Sequence, residues 1–175
     1  MRLFGNLGEF GAAPALVDED GIVTSHAELV LSADNLAKFI GTRSLVFCFC
    51  SNTVESVTGY VAFSRSGHVC LMLSDTMDDE KIRRLVEAFR PNYHWAPTGM
   101  ASLGGRKVVT TVGRYSLFAG SADAHDLHPD LSVLMATSGS TGSPLMVRQS
   151  SSNLLENAVS IAASIGLTAS DRALT

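Results

Sequence analysis

The feature that most constrains the fold is a regular alternation between short, fully apolar runs and longer segments with helical periodicity. The first clear run, LVFCFC, spans residues 45–50, and two more follow at residues 68–73 and 93–96. Runs that are apolar at every position are typical of strands buried on both faces of a parallel sheet. An amphipathic helix between the second and third runs is indicated by Ile82, Leu85, Val86 and Phe89. The pattern predicts consecutive βαβ units, and therefore an α/β fold with a largely parallel, Rossmann-like sheet flanked by helices.

A β-hairpin is predicted before the first apolar run, at residues 15–24, because Asp20-Gly21 is a strong two-residue turn signal between short apolar segments. Ser25, with Glu28 three residues later, predicts a capping box at the start of the following helix. The residues before the hairpin show no clear period. We therefore expect residues 1–13 to be loosely ordered and a single domain to occupy residues 14–175.

Further helix boundaries follow from local signals. Gly41 is expected to cap the end of the first helix, and Asn52 is expected to cap the start of the second. Pro91 is expected to stop the third helix at Arg90. Residues 97–130 contain two short β patterns among glycines, and we interpret them as irregular β structure that crosses back to the sheet.

The stretch from residue 131 to residue 150 carries the most functional information. An apolar run at residues 133–136 predicts a buried strand, and a helical pattern occupies residues 155–165. Between them lies a run of small residues closed by a proline: Thr137, Ser138, Gly139, Ser140, Thr141, Gly142, Ser143 and Pro144. Glycines let the backbone approach a ligand closely, and free amides with hydroxyls supply donors. We interpret this stretch as a phosphate-binding loop between a strand and a helix; the alternative is a Ser/Gly-rich connector without a ligand.

Residues 137–144 resemble the signature loop of the adenylate-forming superfamily, the AMP-dependent synthetases and ligases, which includes acyl-CoA synthetases, peptide-synthetase adenylation domains and luciferases. The resemblance implies a parent enzyme in which a small carboxylic acid attacks the α-phosphate of ATP with Mg²⁺, and the acyl-adenylate passes to a thiol. That thiol would belong to CoA or to the phosphopantetheine of a carrier protein. The ATP phosphates would contact Thr137, Ser138, Gly139, Ser140, Thr141 and Gly142.

Two positions depart from the pattern of this superfamily. Leu145 stands where its members usually carry a lysine, and Ser151 stands where they often carry a histidine. Replacing the lysine removes a cation from beside a polyanion, a contact worth about 1.5–3 kcal/mol. Arg148 is the nearest cation in the sequence. The departures leave two hypotheses open: an AMP-forming acid:thiol ligase, or a degenerate module that binds a nucleotide or a partner without chemistry.

The resemblance covers about residues 14–174, which correspond to the first part of the large domain in that superfamily. It implies that the acyl pocket, the adenine-binding motif, the ribose-binding aspartate and the catalytic lysine lie beyond this segment. We therefore assign no catalytic residue here and expect the segment alone to be inactive. We also expect apolar surface left uncovered by truncation to favour self-association.

Composition argues against several other classes. A net charge of −4 gives no electrostatic footprint for nucleic acid. The chain has no apolar run near the ~20 residues that span a bilayer, and no secretory leader pattern, so we expect a cytoplasmic protein without a membrane segment. Three cysteines in apolar surroundings, Cys48, Cys50 and Cys70, are interpreted as free buried thiols.

Two further chemistries are weaker alternatives. His125 and His128 lie among aspartates, but their polar linker lacks the periodicity that would fix metal ligands, so we interpret it as a solvated acidic loop. A dinucleotide-dependent oxidoreductase ranks last among the hypotheses, because no G-x-G-x-x-G follows the early strands.

Overall fold

The computed structural model describes residues 3–136, 146–168 and 170–173. The predicted phosphate-binding loop, Thr137–Gly142, and the departure at Leu145 lie outside the described residues. The elements follow one another in the order β1 (Pro14–Val17), β2 (Val23–Ser25), α1 (His26–Ala37), β3 (Leu45–Cys50), α2 (Val54–Arg65), β4 (Val69–Ser74), α3 (Asp79–Phe89), β5 (Tyr93–Pro97), β6 (Val108–Val112), β7 (Tyr115–Ala119), β8 (Leu131–Ala136), β9 (Met146–Ser150) and α4 (Ser151–Ile165).

The predicted α/β fold is confirmed, with a sheet that is parallel at its centre and antiparallel at its sides. Within the described residues the strand order is β6-β7-β5-β3-β4-β8-β9. Strands β5, β3, β4 and β8 run parallel to one another. The outer pairs β5–β7, β6–β7 and β8–β9 are antiparallel. The separate hairpin of β1 and β2 is also confirmed.

Alternate residues of the central strands build two separate cores. In β3, Val46 and Cys48 belong to a cluster that includes residues of α1 and α2. Phe47 and Phe49 point to the opposite face and pack in a second cluster with Ile82 and other residues of α3. Because side chains alternate along a strand, a run that is apolar at every position supplies both cores at once. The result is a sheet between two helical layers.

The start of α1 forms as its sequence predicts. The Ser25 hydroxyl accepts a hydrogen bond from the amide of Glu28 at 3.2 Å, and the Glu28 carboxylate accepts one from the Ser25 amide at 2.8 Å. This capping box satisfies two amides that would otherwise lack partners. Leu29, Ala33 and Leu36 then bury one face of the helix.

Two predicted helix boundaries are wrong by one to three residues. The cap of α1 is Lys38 rather than Gly41, because the chain turns early and brings Ile40 into the core. The N-cap of α2 is Thr53 rather than Asn52. Thr53 has the extended backbone that an N-cap requires, and its hydroxyl accepts a hydrogen bond from the Ser56 amide at 3.2 Å.

The connection after β8 differs most from the prediction. The loop was expected to lie between a strand and a helix, but β9 comes before the helix and pairs antiparallel with β8. Helix α4 begins only after β9 and ends, as predicted, at Gly166, whose backbone is left-handed. The loop is therefore a connection between two neighbouring strands. In the described ranges, no helix has both the length and the apolar content needed to cross a membrane.

Candidate functional site

The candidate site lies where the carboxyl ends of the parallel strands meet. Strands β3, β4, β5 and β8 end at Cys50, Ser74, Pro97 and Ala136 on this edge of the sheet. Ligands of open α/β sheets bind outside this edge, because helix N-termini and loops converge there. Strand β8 ends at Ala136 on this edge and β9 begins at Met146 beside it, so the two described flanks of the predicted phosphate-binding loop lie at the edge where ligands bind.

The two ends of the loop are held together by the β8–β9 pair. Met135 is opposite Val147, and Ala136 is opposite Met146. The loop residues Thr137, Ser138, Gly139, Ser140, Thr141 and Gly142 are outside the described part of the chain, so the structure fixes only their anchor points.

The N-terminus of α4 does not face this loop. Ser150, the N-cap of α4, is opposite Leu131 at the start of β8. Four residue steps of β9 at about 3.4 Å each separate that point from Met146 by roughly 13–14 Å. The positive end of the α4 dipole therefore lies at the opposite edge of the sheet, and so does Ser151. The expected setting of the loop, between a strand and a helix, is therefore wrong, because β9 lies between β8 and α4.

Polar residues at and after the end of β4 lie beside the end of β8 and were missed in the sequence. Met72 of β4 is opposite Met135 of β8, so Ser74 lies at the same end of the sheet as Ala136, the last residue of β8. The hydroxyls of Ser74 and Thr76 are 2.8 Å apart, and the Thr76 amide donates to the Ser74 hydroxyl at 3.2 Å. A signal was present, because a Ser-Asp-Thr sequence directly follows a buried apolar strand.

The two helix N-termini at this edge already have caps. Asp78 accepts hydrogen bonds from the amides of Glu80 and Lys81 at the start of α3, at 3.1 and 3.3 Å. Thr53 caps α2 in the same way with a hydroxyl. The Asp78 carboxylate at the α3 terminus repels an anion there, so this helix end does not supply a phosphate site.

Two aromatic side chains, Tyr115 and Trp95, pack beside the end of β3. The Tyr115 hydroxyl donates to the carbonyl of Phe49 at 3.0 Å and lies 2.6 Å from the Ser51 hydroxyl. The Trp95 indole N–H donates to the carbonyl of Glu55 at 3.1 Å, and its ring lies 5.4 Å from that of Tyr115. Both rings are fully buried. They hold the turn between β3 and α2 in place rather than reaching into the open cleft.

An open groove of about 700 Å³ lies on the β3 side of this edge, between the N-terminal hairpin, α2 and the β6–β7 turn. Its lining is acidic, with the carboxylates of Asp18, Glu19, Asp20, Glu28 and Glu55 against the single cation Arg114. Such a charge repels a triphosphate. The groove is therefore a poor site for ATP, and the loop after β8 is the better candidate.

Arg148 is the cation of β9 nearest to the loop. It is opposite Leu134, two residues along β9 from Met146, and its side chain is exposed. No described residue forms an ion pair or hydrogen bond with it. The guanidinium is thus available for an anion, although at strand spacing its Cα lies about 7 Å from that of Met146, away from the loop.

The comparison with protein families decides the assignment. The family model described as AMP-binding enzyme matches residues 4–175. The chain belongs to the AMP-binding enzyme family. No curated protein matches it in sequence.

Solved structures share the fold of this AMP-binding chain. VinN in complex with 3-methylaspartate matches with a TM-score of 0.74 and 21% identity, over 95% of this chain and 51% of VinN. O-succinylbenzoate Coenzyme A Synthetase (MenE) from Bacillus subtilis, in complex with AMP, matches with 0.71 and 19%, over 98% and 48%. Apo MatB from Rhodopseudomonas palustris matches with 0.66 and 20%, over 96% and 38%.

The AMP-binding chain thus spans about half or less of the length of these structural neighbours. Identities near one fifth establish the common fold, and the family match establishes the general kind of protein. The activity of the whole protein, its substrates and its partners are proposals.

Proposed function

We propose that this chain is part of an ATP-dependent, AMP-forming acid:thiol ligase, and that residues Thr137–Gly142 contact the phosphates of ATP. The observation that carries the proposal is the family match combined with the position of the loop. Strand β8 ends, and the antiparallel β9 begins, at the carboxyl edge of the parallel strands, where α/β proteins bind ligands. A connector without a ligand has no need of glycines and hydroxyls at that place.

The reaction divides into two transfers. A carboxylate oxygen of the acid attacks the α-phosphorus of ATP, the bond to the β-phosphate oxygen breaks, and pyrophosphate leaves. The thiol of CoA or of a carrier-protein phosphopantetheine then attacks the acyl carbon, and AMP leaves. The role of the loop is to hold the β- and γ-phosphates with backbone amides and hydroxyls while negative charge moves onto pyrophosphate.

Magnesium would enter this site with ATP. The described residues contain no group of three or more His, Cys, Asp or Glu side chains arranged to hold a metal ion. Mg²⁺ commonly binds through substrate phosphates, waters and one or two carboxylates. Asp75 is a carboxylate at the same edge, directly after β4, and it fits such a contribution.

The two departures from the usual pattern have different consequences. Leu145 is adjacent to Met146, which pairs with the end of β8, so a lysine at position 145 would lie next to the loop. Its absence weakens the hold on the departing pyrophosphate. Ser151 lies at the opposite edge of the sheet, so a histidine there has no direct role toward the phosphates.

A degenerate, non-catalytic nucleotide- or partner-binding module is the second candidate, and it is favoured by the loss of the lysine alone.

The test is carboxylate-dependent exchange of labelled pyrophosphate into ATP, measured with a longer chain that contains the remainder of the domain. We expect exchange with Leu145 in place and about a 10-fold to 100-fold increase for Leu145→Lys, because a charge-assisted contact contributes about 1.5–3 kcal/mol. Leu145→Met is the matched control without charge.

Exchange that appears only in the Leu145→Lys variant would establish the degenerate module instead. The 175-residue chain alone is expected to give no exchange, since the acyl pocket and the catalytic lysine of the superfamily are proposed to lie in further sequence. Exchange by the 175-residue chain would contradict that division of roles.

The isolated chain is also proposed to be cytoplasmic and to self-associate through apolar surface on α4. Val159, Ile161 and Ile165 on this helix are 61%, 48% and 66% exposed, and α4 buries none of its described residues. Such surface is unusual on a soluble monomer. A light-scattering mass that stays monomeric over a wide concentration series would contradict the self-association.

A further inference from the structure

A second polar pocket, of about 460 Å³, lies at the amino edge of the parallel strands, opposite the ATP-loop edge. It is bounded by the end of α2, the start of β4, the beginning of β8 and the N-terminus of α4. Its polar lining is rich in hydroxyl and N–H donors, which come from Arg43, Ser64, His68, Ser132, Ser151 and Ser152.

His68 places a buried donor at this pocket. The residue is 4% exposed, and its Nδ1 accepts a hydrogen bond from the Ser44 amide at 3.2 Å. Because Nδ1 is the acceptor, the neutral ring carries its proton on Nε2. Burial and the charge of Arg43 lower the pKa of His68 to about 4, so the ring is neutral at pH 7. The Nε2–H group has no hydrogen-bond partner among the described residues.

Ser64 adds a second unmatched group. It is 3% exposed, and its hydroxyl has no hydrogen-bond partner within the described part of the chain. Buried polar groups in folded proteins are nearly always paired, with protein, water or a ligand. The buried Ser64 hydroxyl is such an unpaired group, and it lines the same pocket as the His68 ring, so the two together point to a polar ligand there.

Arg43 supplies a fixed positive charge. Its Nε, Nη1 and Nη2 groups donate four hydrogen bonds of 2.6–3.0 Å. The acceptors are the carbonyls of Gly67, Leu127, His128 and Leu131. These bonds hold the guanidinium at the pocket without a carboxylate to neutralise it.

The N-terminus of α4 adds a further positive field. Helix α4 has 15 residues, and the Ser150 hydroxyl accepts from the Asn153 amide at 3.1 Å. The amides of Ser151 and Ser152, in the first turn, have no carbonyl within the helix to bind. Asp130 is the one acidic residue in the described lining, and its side chain is 80% exposed.

We propose that this pocket binds a single oxyanion of the phosphate class, held by the His68 Nε2–H, the Arg43 charge and the first-turn amides of α4. The oxygens of a phosphate are hydrogen-bond acceptors. The neutral histidine and the free amides can donate to them, and the guanidinium attracts their negative charge. The site is separate from the ATP loop, because α4 begins at the other end of β9.

The test is a titration of the 175-residue chain with sodium phosphate at constant ionic strength, followed by ¹H–¹⁵N NMR of the histidine rings and backbone amides. We expect saturable shifts of the His68 Nε2 resonance and of the Ser151 and Ser152 amides. A parallel titration with glycerol phosphate compares two sources of the anion. A lower dissociation constant for phosphate indicates free phosphate, and a lower one for glycerol phosphate indicates the phosphate group of a larger metabolite.

Two variants and one control make the result specific. His68→Phe removes the ring donor and is expected to raise the dissociation constant about 10-fold or more. Ser151→Pro removes an amide at the first helical position, where proline is tolerated, and the extended backbone of Ser150 (φ −85°, ψ 161°) suits a residue before proline. The Ser151→Pro variant leaves the core intact, so it still tests the proposed phosphate site if His68→Phe does not fold. His128→Phe, on an exposed ring outside the lining, is the control.

Shifts that do not saturate, or an affinity that Ser151→Pro leaves unchanged, would overturn the proposal. The adenylation proposal concerns the opposite edge of the sheet and is tested by a different assay, pyrophosphate exchange. Failure of the phosphate titration therefore leaves it standing, and the reverse also holds.

Discussion

His94 makes the stability of this chain sensitive to acid. The ring is fully buried on the α3 side of the sheet, between Phe47 and Phe49, with ring centroids 5.7 and 6.5 Å away. Neither ring nitrogen has a hydrogen-bond partner among the described residues. Burial, with a smaller contribution from the charge of Arg106, lowers the pKa of His94 from 6.5 to about 3. The folded chain therefore holds this ring neutral where the unfolded chain would protonate it.

The sign and size of the effect follow from proton linkage. Between pH 6.5 and pH 3 the unfolded state binds a proton that the folded state does not, so stability falls as the pH is lowered through this window. At pH 4.5, two units below the unfolded pKa, the loss from His94 is about 2.7 kcal/mol. Total stabilities of about 5–15 kcal/mol make this a substantial fraction. The pKa of His68 is also lowered, to about 4, so this residue adds to the loss of stability at acidic pH.

The perturbation is His94→Leu, which removes the titrating group and keeps an apolar side chain. The measurement is urea unfolding at pH 7.5 and pH 4.5 for wild type, for His94→Leu and for the exposed control His128→Leu. We expect His94→Leu to reduce the acid loss by about 2.7 kcal/mol. At pH 7.5 the variant should be as stable as wild type or more stable, because two unpaired nitrogens leave the core. An acid loss identical to that of wild type would refute the reasoning.

Two further substitutions test the packing and the local signals. Gly59→Ala places a methyl group where the indole ring of the fully buried Trp95 lies; we expect a loss of about 1–3 kcal/mol in thermal unfolding. A gain, as helix propensity alone predicts for alanine, would contradict that packing. Ser25→Ala removes the capping hydroxyl of α1 and should cost about 1 kcal/mol, with Ser25→Asp close to wild type in the same assay.

Local patterns predicted most of the architecture, because their causes lie within a few residues. The run LVFCFC at residues 45–50 is buried on both faces, as a central strand must be. The capping box of Ser25 and Glu28 needs only a spacing of three residues. Pro91 excludes a continued helix whatever surrounds it, and α3 ends at Phe89 with Arg90 as its cap.

Strand β9 was not predicted because its evidence is not local. It has five residues, of which two are exposed and three partly buried, and it contains Arg148 and Gln149. It exists as a strand because Met146–Ser150 pairs with β8, which is a contact between two segments rather than a local apolar periodicity. Without β9, the sequence could not show that α4 begins at the edge of the sheet opposite the end of β8.

The position of the candidate site was predictable, and its neighbours were not. Parallel strands bring their carboxyl ends together, so the edge followed from the βαβ pattern alone. Strand order did not follow, and it is the placement of β8 beside β4 that brings Ser74 and Thr76 next to the loop. The pocket around His68 depends in the same way on the pairing of β9, which carries the start of α4 to that edge.

The central claim is that residues 137–142 contact the triphosphate of ATP. The most direct measurement is a titration of the ¹⁵N-labelled 175-residue chain with Mg·ATP, with backbone amide shifts followed residue by residue. The account predicts saturable shifts at Thr137–Gly142, with weaker changes at the adjoining Ser74 and Thr76. ATP binding that shifts the groove around Asp18–Asp20 and leaves residues 137–142 unmoved would contradict it.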